Sequence, residues 1–242
     1  MLELSIRELV IATVLLIAVM VVCVRAGKLS VPAAITGGLV GALVFAGAGY
    51  GGICMLGTFF VLGTLATAHR KDLKAKVSGD GLHPEQRKTG QVLANGGVAA
   101  GMALLAIIDP ERVAMYIMML AASLAAATAD TLSSELGTVY GRSFYNILTL
   151  KKEPKGLDGV VSLEGTLLGA GGAMIIAVIY AIMAGFDERC LFIVLAGILG
   201  NLADSVLGAS LERKHYIGND IVNFLNTLFA ALVAQGLCLL FC

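Results

Sequence analysis

Long apolar runs dominate this chain and restrict it to few kinds of fold. Of its 242 residues, 58% are hydrophobic and only 14% are charged, whereas a soluble domain has about 25% charged residues. A membrane-spanning helix needs about 20 mostly apolar residues. Eight segments qualify: 8–24, 31–48, 53–68, 92–108, 113–129, 165–185, 191–208 and 221–241. The sequence therefore predicts an all-α, polytopic membrane protein that forms one integral membrane domain over residues 1–242.

The basic residues predict how these helices are oriented in a cell membrane. With eight spans, all but three of the 17 basic residues fall on the side that contains the loops 68–91, 138–164 and 209–220. The exceptions are Arg7, Arg112 and Arg189. The positive-inside rule makes this side cytoplasmic and puts both termini outside. Because the outer connections are minimal, we expect the chemistry at the cytoplasmic face.

Glycine and cysteine are expected to serve packing. The 30 glycines include the clusters 37–41 and 169–172, and small residues let helices approach closely in lipid. The five cysteines form no C-x-x-C pair and have no nearby histidine pair. Neither a zinc-type site nor a disulfide framework is predicted.

Two carboxylates, Asp130 and Glu135, lie at the end of the fifth apolar segment. A carboxylate in the middle of a span costs about 2.5–3.5 kcal/mol, so it needs a partner or a function. Asp130 lies about 25 Å along the helix from Val113, near the inner surface. Glu135 is about 140° around the helix from Asp130, so the two carboxylates meet one ion only if the helix frays. Otherwise each serves a different neighbour, and the alternative is an interfacial cap with solvated charges.

A second acidic motif, Asp204, closes the seventh segment. It belongs to a stripe of small and polar residues that must line a cavity or pair with another helix. The stripe consists of Gly197, Gly200, Asn201, Asp204, Ser205 and Gly208. The likeness to the Asp130 motif suggests an internal repeat, although chance convergence at helix ends explains it equally well. An amide-rich face of the eighth segment, with Asn219, Asn223 and Asn226, begins at the same side.

The loop before the sixth segment combines glycines with charged residues. Gly156 and Gly159 flank Leu157-Asp158 and leave the backbone free to bend around a ligand. Asp158 is a candidate metal ligand, while Lys155 and the helix start at Thr166 are candidate phosphate ligands. The alternative is an ordinary turn followed by an N-cap, with Ser162 as the capping residue.

A fourth motif opens the segment 92–108. Arg87 and Lys88 precede a helix N-terminus that contains Asn95 and Gly96, a combination that attracts phosphate. The alternative is a basic anchor at the membrane surface followed by glycine packing.

These motifs together indicate phosphoryl or nucleotidyl transfer. Carboxylate oxygens suit Mg²⁺, which commonly uses one or two carboxylates plus substrate phosphates and water, and basic side chains suit the phosphates. A site at the cytoplasmic surface would let a soluble nucleotide meet a lipid. No Walker motif occurs in the sequence, and neither a protein-kinase nor a Rossmann fold is predicted.

Four motifs resemble the family called domain of unknown function 92. They are residues 91–97, 130–137, 156–166 and 204–209, in the family's order. The family includes transmembrane protein 19 and the plant and cyanobacterial phytyl-phosphate kinases, and more distantly it is similar to dolichol kinases and CDP-diacylglycerol synthases. Residues 87–90 depart from the family pattern, so Thr89 receives no role.

The resemblance implies a Mg²⁺-dependent prenyl-phosphate kinase that uses CTP or a similar nucleoside triphosphate. It implies catalytic roles for Asp130, Glu135, Asp158 and Asp204, of which Asp130, Asp158 and Asp204 would hold the metal. The implied nucleotide and phosphate ligands are Arg87, Lys88, Asn95, Gly96, Lys155, Gly156, Gly159, Ser162, Thr166, Asn201 and Asn223.

Two other classes of function remain open at this stage. A cation- or proton-coupled transporter would also use buried carboxylates, and a CDP-lipid synthase would release pyrophosphate. The expected partners are a nucleoside triphosphate, an isoprenoid phosphate and the bilayer. No nucleic acid is expected, and a homo-oligomer stays open.

Overall fold

The computed structural model describes residues 6–75 and 86–241. Its elements are α1 (Ile6–Arg25), α2 (Val31–Ala68), α3 (Lys71–Ala75), α4 (Thr89–Ile108), α5 (Val113–Tyr140), β1 (Tyr145–Asn146), β2 (Val160–Val161), α6 (Leu163–Ala184), α7 (Glu188–Leu207) and α8 (Asn219–Phe241). A 3₁₀ turn, Pro110–Arg112, precedes α5, and a π turn, Gly208–Glu212, continues α7. Part of the predicted loop 68–91, including Lys76, and the cysteine at position 242 lie outside the described residues.

The helices are those of an integral membrane protein, which confirms the predicted fold class. Within residues 6–75 and 86–241, seven helices are long and apolar enough to cross a membrane. The number of spans and the side on which the termini lie stay predictions.

Helix α2 reverses direction at Gly49, where φ is 60° and ψ is −151°, a conformation that favours glycine. A Cβ at Gly52 would lie 2.8 Å from Val44 Cγ1, and a Cβ at Gly41 would lie 3.9 Å from Ile53 Cδ1. Residues eight apart in a continuous helix are separated by about 12 Å, so the two halves of α2 pack antiparallel. They correspond to the predicted segments 31–48 and 53–68.

Helix α5 is the axis of the bundle and packs against α2, α4, α6, α7 and α8. Its first half is buried among small side chains. A Cβ at Gly197 would lie 3.0 Å from Ala125 Cβ, and one at Gly200 would lie 2.7 Å from Ala126 Cβ. Helix α7 therefore packs closely on α5 through glycine. Helix α1, in contrast, packs mainly on α2 at the edge of the bundle.

Several helix ends differ from the prediction. Helix α5 continues to Tyr140 rather than ending at 129, and α7 extends through the π turn to Glu212. Neighbouring elements contact both extensions, which explains why they stay helical although their sequences are polar. The predicted loop 138–164 also contains a short antiparallel pair in which Tyr145 opposes Val161.

One end of the bundle collects the polar elements, and we call it the polar end. Here α1, α2, α5 and α7 end, and α4, α6 and α8 begin. The Arg87 amide donates to Lys28 O at 2.9 Å, Lys74 contacts Glu135, and a Cβ at Gly208 would lie 3.1 Å from Gly159 N. The connections between distant helices thus meet around one space.

Candidate functional site

A cavity of about 630 Å³ occupies the polar end. All four predicted carboxylates line it, together with seven of the predicted phosphate ligands. These residues are Asp130, Glu135, Asp158, Asp204, Arg87, Asn95, Gly156, Gly159, Ser162, Asn201 and Asn223. Residues that are up to 136 positions apart in sequence therefore share one space.

Asp130 and Asp204 form the central pair of the cavity. Their carboxyl groups lie within hydrogen-bonding reach of each other, across the contact between α5 and α7. Asn226 of α8 donates from Nδ2 to Asp204 Oδ2 at 3.0 Å, and its own Oδ1 is buried without a hydrogen-bond partner among the described residues. Two like charges at such a distance favour a shared proton or a bound cation.

Glu135 belongs to a different set of contacts. It accepts from Thr67 Oγ1 at 2.9 Å and forms a 2.5 Å ion pair with Lys74 Nζ. Lys74 also donates to the carbonyl groups of Ala66 and Thr67. Because α5 is regular as far as Tyr140, Asp130 and Glu135 face different neighbours. Each carboxylate therefore serves a different neighbour, which is one of the two arrangements that the helical angle left open.

The loop between α5 and α6 brings Asp158 to the cavity. Gly156 and Gly159 have positive φ of 88° and 72°, and Gly159 contacts Ala209 of the π turn so closely that a Cβ has no room. Arg213 holds this loop, because its guanidinium donates to the Asp158 carbonyl and forms a 2.9 Å ion pair with Glu153. The tight turn therefore points Asp158 toward the cavity, as the glycines suggested.

Among the described residues, four basic side chains line the cavity and form what we call the basic wall, namely Lys28, Lys71, Lys74 and Arg87; Lys74 is paired there with the carboxylate of Glu135. The Arg87 guanidinium carbon lies 5.5 Å from the Phe59 ring centroid and 5.6 Å from that of Phe60. Burial lowers the pKa of the Arg87 guanidinium, and the nearby charge of Glu135 opposes that shift. An arginine nevertheless stays charged at neutral pH, so this wall is positive.

Amide side chains line the same cavity as the charged residues. Asn95, Asn201 and Asn223 are buried and line the cavity. Asn95 Nδ2 donates to Gln91 O at 2.9 Å, which leaves its Oδ1 as a potential acceptor toward the cavity.

Four predicted site residues do not line the cavity. Lys88 is exposed at the start of α4, and Lys155 reaches Thr138 O at 3.3 Å on the surface. Gly96 packs toward α2, where a Cβ would lie 3.2 Å from Val40 Cγ1. Thr166 Oγ1 donates to Ser162 O at 3.0 Å. At Gly96 the structure has the glycine packing that was the alternative to a phosphate site. At Thr166 it has the start of a capped helix, the alternative to a phosphate ligand. Both residues lie on helix faces that point away from the cavity.

Ser162 fits both its interpretation as a helix cap and its interpretation as a site residue. It is the N-cap of α6, accepting from the Gly165 amide at 3.1 Å, and it also lines the cavity.

The donor set fits Mg²⁺ in one arrangement. Among residues 6–75 and 86–241, no group of three His, Cys, Asp or Glu side chains converges to hold one metal ion. The proposed set of Asp130, Asp158 and Asp204 is therefore not assembled as a three-carboxylate site. The pair Asp130 and Asp204 fits a Mg²⁺ ion that takes its other ligands from substrate phosphates and water.

Sequence reasoning missed several lining residues. Lys28, Lys71 and Lys74 counted only toward the charge asymmetry, because the positive-inside rule explains loop cations without giving them a partner. Glu212 also lines the cavity but fell in a predicted loop, since a π turn has no simple sequence signature. Lys74 has only 10% of its side chain exposed, because it is folded against Glu135. This contact joins distant parts of the chain, so the sequence does not predict it.

The fold and the site define a polytopic integral membrane protein with a charged, amide-lined cavity at one end of its helix bundle. The chain belongs to the family described as integral membrane protein DUF92, whose model matches residues 14–231. This confirms the family resemblance.

Three relatives illustrate the range of the family. An uncharacterized membrane protein of Methanocaldococcus jannaschii is 36% identical over 192 residues, 79% of this chain and 77% of the relative. An uncharacterized membrane protein of Synechocystis is 29% identical, covering 82% and 78%. Protein VTE6, chloroplastic, of Arabidopsis thaliana is 29% identical, covering 81% of this chain and 61% of that protein. No solved structure matches the chain.

Proposed function

We propose that this protein is a Mg²⁺-dependent prenyl-phosphate kinase of the cell membrane. It would transfer the terminal phosphoryl group of CTP or a similar nucleoside triphosphate to an isoprenoid monophosphate, with the site facing the cytoplasm. The family resemblance implies this reaction, and the cavity that carboxylates, amides and basic side chains line together is the observation that carries the proposal.

The reaction needs positioning and charge neutralisation rather than a strong base. A lipid phosphate is already ionised at neutral pH, so its oxygen can attack the terminal phosphorus directly. A new P–O bond forms to the lipid phosphate, the bond from that phosphorus to the leaving nucleoside diphosphate breaks, and the lipid becomes a diphosphate. Phosphoryl transfer of this kind depends mainly on alignment and electrostatic stabilisation.

Each wall of the cavity has a role in this reaction. Asp130 and Asp204 would hold the Mg²⁺, which neutralises phosphate charge, and Asn226 orients Asp204 through its 3.0 Å hydrogen bond. Asp158 lies next to this pair on a rigid turn. The basic wall would hold phosphate groups, and Asn95, Asn201 and Asn223 are placed to donate to phosphate oxygens or to the carboxylates.

The packing of the bundle favours an enzyme over a transporter. A carrier needs polar access from both ends. The half of α5 that leads away from the cavity is itself fully buried, with no exposed surface at Leu120, Ala121, Leu124 and Ala126. A cavity of about 180 Å³ between α6 and α7 is lined by apolar side chains and Cys190.

A direct assay tests the proposal. Purified protein in detergent is incubated with farnesyl monophosphate, Mg²⁺ and labelled CTP or ATP, and the lipid products are separated. We expect farnesyl diphosphate that carries the label of a nucleotide labelled in its γ-phosphate. A lipid that carries the label of a nucleotide labelled in its α-phosphate, with release of pyrophosphate, would instead indicate a nucleotidyltransferase. The absence of both products with every nucleotide and with farnesyl, geranylgeranyl and phytyl monophosphates would overturn the proposal.

A further inference from the structure

The Arg87 side chain is held in an unusual way. Its guanidinium lies near the rings of Phe59 and Phe60, at 5.5 and 5.6 Å from their centroids, and a Cβ at Gly63 would lie 2.6 Å from Arg87 Nη2. The missing side chain at Gly63 therefore makes room for the guanidinium. Cation–π contact of this type orients an arginine and leaves its N–H groups available.

Those N–H groups have no protein acceptor among the residues that the structure describes. Among residues 6–75 and 86–241, no carboxylate forms an ion pair with Arg87 and no group accepts a hydrogen bond from its guanidinium. The Arg87 side chain is partly buried, and acceptors in the cavity would replace the hydration that its guanidinium loses. Arg87 lines the cavity, so an anionic ligand there would supply them, and its planar fork matches the oxygens of a phosphate.

Lys28 is fixed beside Arg87 by backbone hydrogen bonds. The Arg87 amide donates to Lys28 O at 2.9 Å, and the Ser30 amide donates to Arg87 O at 3.2 Å. Lys28 also lines the cavity. The connection between α1 and α2 and the segment before α4 therefore hold the backbones of these two cavity-lining residues side by side.

This pair of cations lies at the edge of the bundle, beside apolar surface. The neighbouring packing cluster of Cys23, Leu29, Ala33 and Ala34 also includes Phe60. Leu65 on the same part of α2 is 62% exposed. In a bilayer such apolar surface contacts lipid chains, whereas Asp130 and Asp204 lie inside the bundle between α5, α7 and α8.

We propose that the wall of Arg87 and Lys28 binds the phosphate of a single-chain lipid monophosphate, the acceptor, with its chain along the α1–α2 edge. The nucleotide would bind at the opposite wall, beside Asp130 and Asp204. This inference rests on the proposed function for the identity of the second substrate. It differs from the expectation drawn from the family resemblance, which gave Arg87 to the nucleotide.

A binding experiment tests the lipid site without any turnover. The thermal unfolding midpoint in detergent is measured with farnesyl monophosphate, farnesol or inorganic phosphate, in the absence of nucleotide and Mg²⁺. We expect farnesyl monophosphate to raise the midpoint more than either of the other two. The increase should disappear in Arg87→Gln and in Lys28→Gln and should persist in Arg25→Gln, which removes an exposed cation outside the cavity. An increase that survives in both cavity variants overturns the inference.

Kinetics then separate the inference from the proposed function. In Lys28→Gln and Arg87→Lys we expect the KM for farnesyl monophosphate to rise about tenfold or more, while the KM for the nucleotide changes by less than about twofold. The reverse pattern means that the kinase proposal stands and the assignment of the walls is wrong. Binding of farnesyl monophosphate that depends on Arg87, without any turnover, would support the lipid site and contradict the kinase. Lys28→Gln leaves the Phe59–Phe60 packing intact, so it gives an answer even if Arg87 variants fail to fold.

Discussion

The two halves of α5 differ in almost every respect although they form one regular helix. The first half packs through small side chains, and residues such as Ala121 and Ala125 are completely buried. The second half carries Asp130, Thr131, Ser133 and Glu135, all of which line the cavity. The change occurs within one helical turn, between Ala129, which is buried, and Asp130.

This difference shows how the bundle can hold two like charges inside it. Close contacts between small residues fix α5, α7 and α8 at the packed half, so the polar half keeps its geometry without contributing much packing of its own. We expect variants of the packed half to lower stability and variants of the acidic pair, Asp130 and Asp204, to lower activity. The following predictions test that separation, from the largest expected effect to the smallest.

The largest effect is expected at the acidic pair. Asp130→Asn or Asp204→Asn should lower turnover by about a hundredfold or more, because each substitution removes a metal ligand whose effect is mainly electrostatic. The thermal unfolding midpoint should stay the same or rise, since one of two facing charges is removed. Turnover and the midpoint are measured on the same preparation.

The matched control for this prediction is Glu111→Gln, which neutralises an exposed carboxylate at the opposite end of the bundle. It should leave both quantities unchanged. Wild-type turnover in either aspartate variant would remove Asp130 and Asp204 from the proposed chemistry.

The packed half is tested by Gly200→Ala. A Cβ at this position would lie 2.7 Å from Ala126 Cβ and 3.1 Å from Ala230 Cβ, and neither neighbour can move away easily. We expect the free energy of unfolding to fall by about 1–3 kcal/mol from overpacking, measured by denaturation in mixed micelles. Gly171→Ala is the control, because a Cβ there meets nothing within 4 Å. Equal effects of the two substitutions would contradict the packing account.

A smaller effect is expected at the ion pair of Lys74 and Glu135. Lys74→Met and Glu135→Gln should each lower the free energy of unfolding by about 1–2 kcal/mol, because each breaks an ion pair between two partly buried charges. In a double-mutant cycle the combined loss should be smaller than the sum of the single losses. Additive losses would show that the 2.5 Å contact contributes nothing as a pair.

The smallest effect is expected for Tyr140→Phe at the end of α5. The hydroxyl and His69 Nε2 are 2.7 Å apart at the surface, where water can replace the hydrogen bond. The free energy of unfolding should fall by about 0.5 kcal/mol, and turnover should not change. A large loss of turnover would place this contact within the functional part of the protein.

Much of the fold was predictable because membrane helices follow local rules. Eight apolar segments were expected, and the two that α2 combines are separated by the reversal at Gly49. The helical angle between Asp130 and Glu135 left two arrangements open, a shared ion at a frayed helix or a different neighbour for each carboxylate, and the contacts of Glu135 with Thr67 and Lys74 are of the second kind. The ends of α5 and α7 were not predictable in this way, because their last turns are polar and stay helical through contacts with Arg213, Lys74 and the Gly159 loop.

The sequence by itself determined the membrane class, the uneven distribution of charge and the face of each helix that carries polar groups. These properties depend on composition and on a helical repeat that spans a few residues. Only the tertiary structure decided that Asp130 meets Asp204, that Lys74 joins Glu135 and that Arg87 lies near the rings of Phe59 and Phe60. Such contacts join residues far apart in the chain, and they depend on how closely small side chains let the helices approach.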